Sequence, residues 1–137
     1  MDRNEARNYL AKAREFPATA ETALGDERWN AAGLNAIHAG ISAADAVAVA
    51  SAGVRSAAKD HGAIVDLLQS SVDGVPATSA RQLSGLLGMK NTVEYEQRLL
   101  KASEARTLVQ QAGRFCAWAT ETVAAKLGDL GQETVRD

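Results

Sequence analysis

Apolar positions recur at helical spacing along most of this chain. Ala6, Tyr9, Ala13, Phe16, Ala20 and Ala23 repeat at intervals of three and four, drawing one stripe along a first helix over Asp2–Leu24. Asp2, with Glu5 three residues later, has the form of a capping box. Pro17 lies inside the stripe, which keeps its phase on both sides, so the pattern predicts one kinked helix rather than two. Gly25 and Asp26 supply a turn, and Trp29 opens a second helix. That helix is almost entirely small and apolar from Asn30 to Ala52, with Asp45 as its single formal charge. Leu34, Ile37, Ile41, Ala44 and Ala48 gather on one side of it. So smooth a surface lets neighbours approach closely on several sides, which predicts the central helix of a bundle, stopped at Gly53 by a left-handed cap.

The rest of the chain is punctuated in the same way. After a connector, Asp60 is expected to cap a third helix over about His61–Ser71, with Ile64, Leu67 and Leu68 facing inward. Asp73–Ala77 reads as a loop and about Ser79–Leu87 as a short helix. The segment GMKNTVEYEQR lacks apolar periodicity and reads as a loop. Ser103 is expected to cap a long last helix to about Leu127, with a stripe of Ala105, Leu108, Ala112, Phe115, Ala119 and Val123; Gly128 onward reads as a frayed tail. No strand pattern or internal repeat is visible. The expectation is all-α: an up-and-down bundle of four main helices and one short one, in a single domain over 1–137 with its core at about 3–127.

Composition narrows the classes. Hydrophobic residues make up 46% and charged residues 23%, as in a folded globular chain, and with only 4% aromatics the core must be Ala, Leu and Val. A formal net charge of −2 argues against non-specific duplex DNA binding, though it leaves room for a local RNA site. The lone Cys116 and the charged start MDRNEARNYL fit a cytoplasmic protein without a signal peptide. The second helix is the best membrane candidate, but Asn35, His38 and Asp45 near its middle argue against a span. No nucleotide-binding glycine loop, HExxH or zinc spacing occurs, so no cofactor or metal is expected.

Three groups of polar residues are candidates for chemistry. Asn35, His38, Ser42 and Asp45 fall within roughly 80° of helical arc on the second helix. They would either support a site or form a satisfied network that fixes register or a dimer contact. Lys90, Asn91, Glu94 and Tyr95 could hold a ligand or phosphate. Alternatively they form a latch, with Glu94 paired to Lys90 or Arg98 and the Tyr95 ring buried against the polar seam. Arg55 and His61 pair a guanidinium for phosphorane charge with an imidazole that can take a ribose 2′-hydroxyl proton; the alternative is a helix-start histidine and a solvated arginine. Cys116 reads as an inert core thiol, and Trp118 as either core packing or a partner surface.

Several pieces stand in a suggestive order: EARNYLAKA, RWNAAGLNAIHAGISAADAV, GVRSAAKDHG, and KNTVEYEQR followed by EARTLVQQAGRF. Together, over about Glu5–Leu127, they resemble the HEPN superfamily of small helical-bundle domains found in toxin–antitoxin and defence systems. The resemblance is to the branch with an Ala-rich second helix, a His-containing turn after it, and a later Arg-x-x-x-Asp-Tyr motif. It implies a dimeric bundle with a polar site near the dimer interface, and often a nucleotidyltransferase antitoxin as partner. Catalytic members are metal-independent endoribonucleases with an Arg–His pair; others lack activity and serve as binding modules. Here Arg55 and His61 have the right separation but stand earlier than the family's pair, and no histidine follows His61. Lys90 replaces Arg, Glu94 replaces Asp, and Tyr95 matches. Lysine is the poorer bidentate phosphate clamp, so the resemblance implies a binding module first and an active ribonuclease second.

Overall fold

The computed structural model describes residues 2–54 and 61–136, and the side chains of 2–54 and 62–128. Among these residues the chain forms six helices and no strand: α1 Arg3–Gly25, α2 Trp29–Ala52, α3 His61–Ser71, α4 Ala77–Gly88, α5 Lys90–Tyr95 and α6 Ala102–Arg136. The Asp2 carboxylate caps α1, accepting the Asn4 and Glu5 amides at 3.0 and 3.1 Å. The helix is continuous through Pro17, as the unbroken stripe required. Its end differs from the expectation. Gly25 stays helical, and the left-handed position falls on Glu27 (φ 61°). The Arg28 amide then reaches Ala23 O at 2.8 Å and the Glu27 amide reaches Leu24 O at 3.1 Å, which closes a Schellman turn.

Helix directions follow from cross-contacts. Phe16 lies against His38, the two equidistant from Glu27, so α1 and α2 form an antiparallel hairpin. Leu108 meets Gly33 and the Cys116 thiol reaches Ala39 O at 3.6 Å; both partners advance together, so α6 runs parallel to α2. Gly85 of α4 faces Gln111, while Met89 beyond it shares a groove with Ser103 and Glu104, so α4 runs against α6. The four long helices α1, α2, α4 and α6 therefore alternate in direction, with α3 as the transit between α2 and α4. At the far end Arg3 Nη2 donates to Leu127 O at 3.2 Å and ties the start of α1 to α6.

The central place of α2 is what its composition foretold. Every residue from Ser42 to Ala50 is buried, and α2 touches each of the other helices. By length and composition α2 could cross a membrane, yet most of it is covered by the bundle. Gly53 ends it at φ 68°, donating to Val49 O at 3.0 Å. Close approach rests on two of its glycines: a Cβ at Gly33 would run into Leu100, and one at Gly40 would stand 2.7 Å from Leu86 Cδ1. The largest fully buried side chain is Phe115 of α6, and the predicted α6 stripe is buried throughout.

Two boundaries of α6 correct the sequence reading. Ser103 does not cap it. Lys101 holds the cap position, and Glu104 reaches back to accept the Lys101 amide at 2.9 Å while Ala105 N bonds to Lys101 O at 3.0 Å. The helix also continues past Leu127 to Arg136. That segment contains no proline, and each glycine in it costs a helix only about 1 kcal/mol.

Candidate functional site

The polar seam of α2 is split along its length by what packs over it. Ser42 and Asp45 are 9% and 6% exposed and belong to the core; Asp45 is partnered there. Asn35 is half-buried, and its amide donates to Ala31 O at 2.9 Å, a local bond within α2. His38 is the most exposed of the four, with Phe16 on one side at 6.1 Å between ring centroids.

On its other side stands α5. The segment read as a loop is a helix of six residues, and its stabilising contacts are visible. Val93 packs toward Gly33 of α2, and Lys90 Nζ meets Glu94 Oε2 at 3.2 Å across one turn. The second oxygen, Glu94 Oε1, lies 3.4 Å from His38 Nε2. Glu94 thus bridges the lysine of its own helix and the histidine of α2. With the imidazole neutral, lysine and carboxylate balance; a protonated imidazole leaves the cluster with one net positive charge.

Helical geometry decides where Tyr95 goes. Lys90 and Glu94 share the side of α5 turned toward α2, so the next residue is rotated away by about 100°. The expected burial of the Tyr95 ring against the seam is therefore corrected: Tyr95 is 74% exposed, with Lys90 Nζ 5.8 Å from its ring centroid. Asn91 is also exposed. Leu99, in the connector to α6, is 73% exposed. The connector itself is held at two points in its α6-side half. Leu100 N donates to Asn30 Oδ1 at 2.9 Å, and Arg98 grips Glu104 with two bonds of 2.9 and 3.0 Å. That grip, with the Lys101 amide, pulls the Glu104 carboxyl down to about 2. Arg98 is thereby committed to α6, and the latch on Glu94 is made by Lys90 and His38.

Of the other sequence candidates, Arg55 and the His61 side chain lie outside the described residues. Cys116 is buried, and burial pushes its thiol up to about 12, as expected of an inert core residue. Trp118 packs on Phe115 at 5.6 Å but is only partly covered. Among the described residues no group of histidine, cysteine and carboxylate side chains could hold a metal ion. Phe16 and Leu99 were missed as parts of this face. Phe16 sits in the α1 stripe like any core residue, and nothing in the local sequence marks Leu99 as exposed.

The arrangement defines a small all-α bundle with a polar latch on one face and an exposed tyrosine and leucine beside it. Comparison of the sequence with protein-family models and with curated proteins gives no match.

Proposed function

We propose that this chain is a HEPN-like binding and interaction module, dimeric, serving a toxin–antitoxin or other RNA- or nucleotide-associated system. The exposed pair Tyr95 and Leu99 carries the reading. Tyr95 ends α5, and Leu99 lies in the connector between Arg98, bound to Glu104, and Leu100, bound to Asn30; both side chains are turned toward solvent. A pre-organised apolar pair with a cation beneath the ring suits a contact surface. The Glu94 bridge supports a positioning role for His38 and Lys90, because both carboxylate oxygens are occupied in holding α5 to α2.

Sedimentation of the wild type against Tyr95→Ser/Leu99→Ser tests this. Burying each side chain is worth about 1.5–3 kcal/mol, and a two-fold interface uses each twice. The double variant should weaken the dimer by about ten-thousandfold or more, with helical content unchanged. A wild type that stays monomeric at ~100 μM, or a variant that dimerises equally well, would overturn the proposal. Metal-independent RNA cleavage in EDTA, lost in Arg55→Ala/His61→Ala, would assign the endoribonuclease activity in its place.

A further inference from the structure

The groove between α4 and α6 holds a pocket of about 280 Å³. Gly85, Met89 and Leu108 give it apolar walls, and Ser103, Glu104 and Thr107 line its α6 side. Glu104 brings no unpaired charge, because its carboxylate is taken by the Arg98 guanidinium and the Lys101 amide. Thr107 is exposed, and its hydroxyl donates to Ser103 O at 3.0 Å, so the oxygen keeps lone pairs to accept a further bond.

The position of this pocket ties it to the contact face. Met89 directly precedes α5, which ends in Tyr95. Arg98, which grips Glu104 on the pocket wall, directly precedes Leu99. The segment that carries the exposed pair therefore starts and ends beside the pocket, yet neither side chain fills it: both are more than 70% exposed. The pair is also too small to make a stable interface alone. A buried aromatic ring covers about 150–250 Å². With one leucine beside it, that falls well short of the about 800 Å² per partner that a stable complex buries. A two-fold interface repeats whatever one copy offers, so a projecting side chain and an empty pocket lying side by side can be exchanged reciprocally.

Tyrosine suits the pocket better than leucine. Its ring gains from contact with the Met89 sulfur, and its hydroxyl can donate to Thr107, for which leucine has no donor. We infer that Tyr95 of each copy inserts into the pocket that Met89, Leu108 and Thr107 form in the other, with Leu99 packing outside it. This rests on the proposed self-association through the Tyr95–Leu99 face and names what that face grips.

Sedimentation of the full chain tests the two separately. Thr107→Arg places a charged side chain at the pocket from an exposed position on α6, so the fold is kept, as circular dichroism checks. It should weaken the dimer about a hundredfold or more, as Tyr95→Ser alone should. Ser103→Arg, at a second exposed position on the pocket wall, should do the same. Mixed in equal amounts, the Thr107→Arg and Tyr95→Ser chains should associate about ten times more tightly than either does alone, because only the mixed pair keeps one tyrosine facing one open pocket. If the wild type dimerises and both arginine variants dimerise equally well, the pocket assignment is overturned while the contact face stands. Absence of a gain on mixing overturns it too, as does a gain seen only when Leu99→Ser replaces Tyr95→Ser, which would make leucine the inserted side chain. A wild type that stays monomeric at ~100 μM removes both the face and the pocket assignment.

Discussion

Replacing Gly33 by alanine sets two effects of opposite sign against each other. Inside an ordinary exposed helix the change stabilises by about 1 kcal/mol. At Gly33 the new methyl would run into Leu100 Cδ1 and stand 3.3 Å from Leu108 Cδ1. Those leucines are 4% and 2% exposed, so neither has open space to retreat into. Leu100 is further fixed by the bond from its amide to Asn30. Forcing a methyl into a packed core costs about 1–3 kcal/mol, and pressure on two leucines at once favours the upper part of that range. The net expectation is a loss of about 1–2 kcal/mol. Gly113 on α6 is the control: nothing lies within 4 Å of its Cβ position, so alanine there should stabilise by about 1 kcal/mol. Both variants remove a helical glycine, so the unfolded-state contribution largely cancels between them. Their separation should be about 2–3 kcal/mol, or about 1–2 M in urea midpoint by far-ultraviolet circular dichroism. Movement of the two midpoints in the same direction would refute the packing argument. In a Leu100→Ala background the cost of Gly33→Ala should shrink, since the two sites share the contact.

Three further outcomes follow from local features. Glu27 occupies a left-handed position, so Glu27→Gly should raise stability by about 1 kcal/mol in the same urea assay. Glu104 titrates at about 2 in the fold against 4.5 ordinarily, so its contribution is complete above pH 4.5 and is lost as pH falls toward about 2. The stability advantage of wild type over Glu104→Gln should vanish across that window when thermal midpoints are compared. Cys116, held near 12 by burial, should resist a thiol-specific chromogenic reagent at neutral pH and react fully once urea unfolds the chain.

The long helices were legible because each has to bury one face, and that requirement writes a period into the sequence. The Ala105–Val123 stripe and the smooth surface of α2 needed no knowledge of partners. The features that escaped depend on partners distant in the chain. α5 has no apolar stripe of its own; it is helical because Val93 rests near Gly33 and Glu94 reaches both Lys90 and His38. The α6 cap was misassigned to Ser103 because serine is the commoner capping residue, while the working cap is a glutamate reaching back over one turn. Glu27 took the left-handed position although Gly25 stood two residues earlier, because the α1 hydrogen bonds run on through Gly25. The seam was correctly seen as one line, yet a line on a helix says nothing of what covers it. Ser42 and Asp45 went to the core while His38 stayed at the surface under α5.

The fate of Tyr95 shows how one such misreading changes the functional argument. In an extended loop, residues 94 and 95 could both be bent toward α2, and the tyrosine would be one more structural contact. On a helix they cannot share a side. Once Glu94 is turned to His38 and Lys90, Tyr95 is directed outward. The chain has few aromatics, and Phe16, Trp29, Phe115 and Trp118 are all packed into or against the core. Leaving a tyrosine and a neighbouring leucine more than 70% exposed forgoes about 3–6 kcal/mol of burial unless another surface covers them. The same Glu94 bridge that makes the latch therefore turns Tyr95 outward, and the proposed contact surface depends on it. If the proposed dimer forms through this face, Glu94→Gln should loosen α5 and weaken self-association in sedimentation even though Tyr95 and Leu99 are untouched.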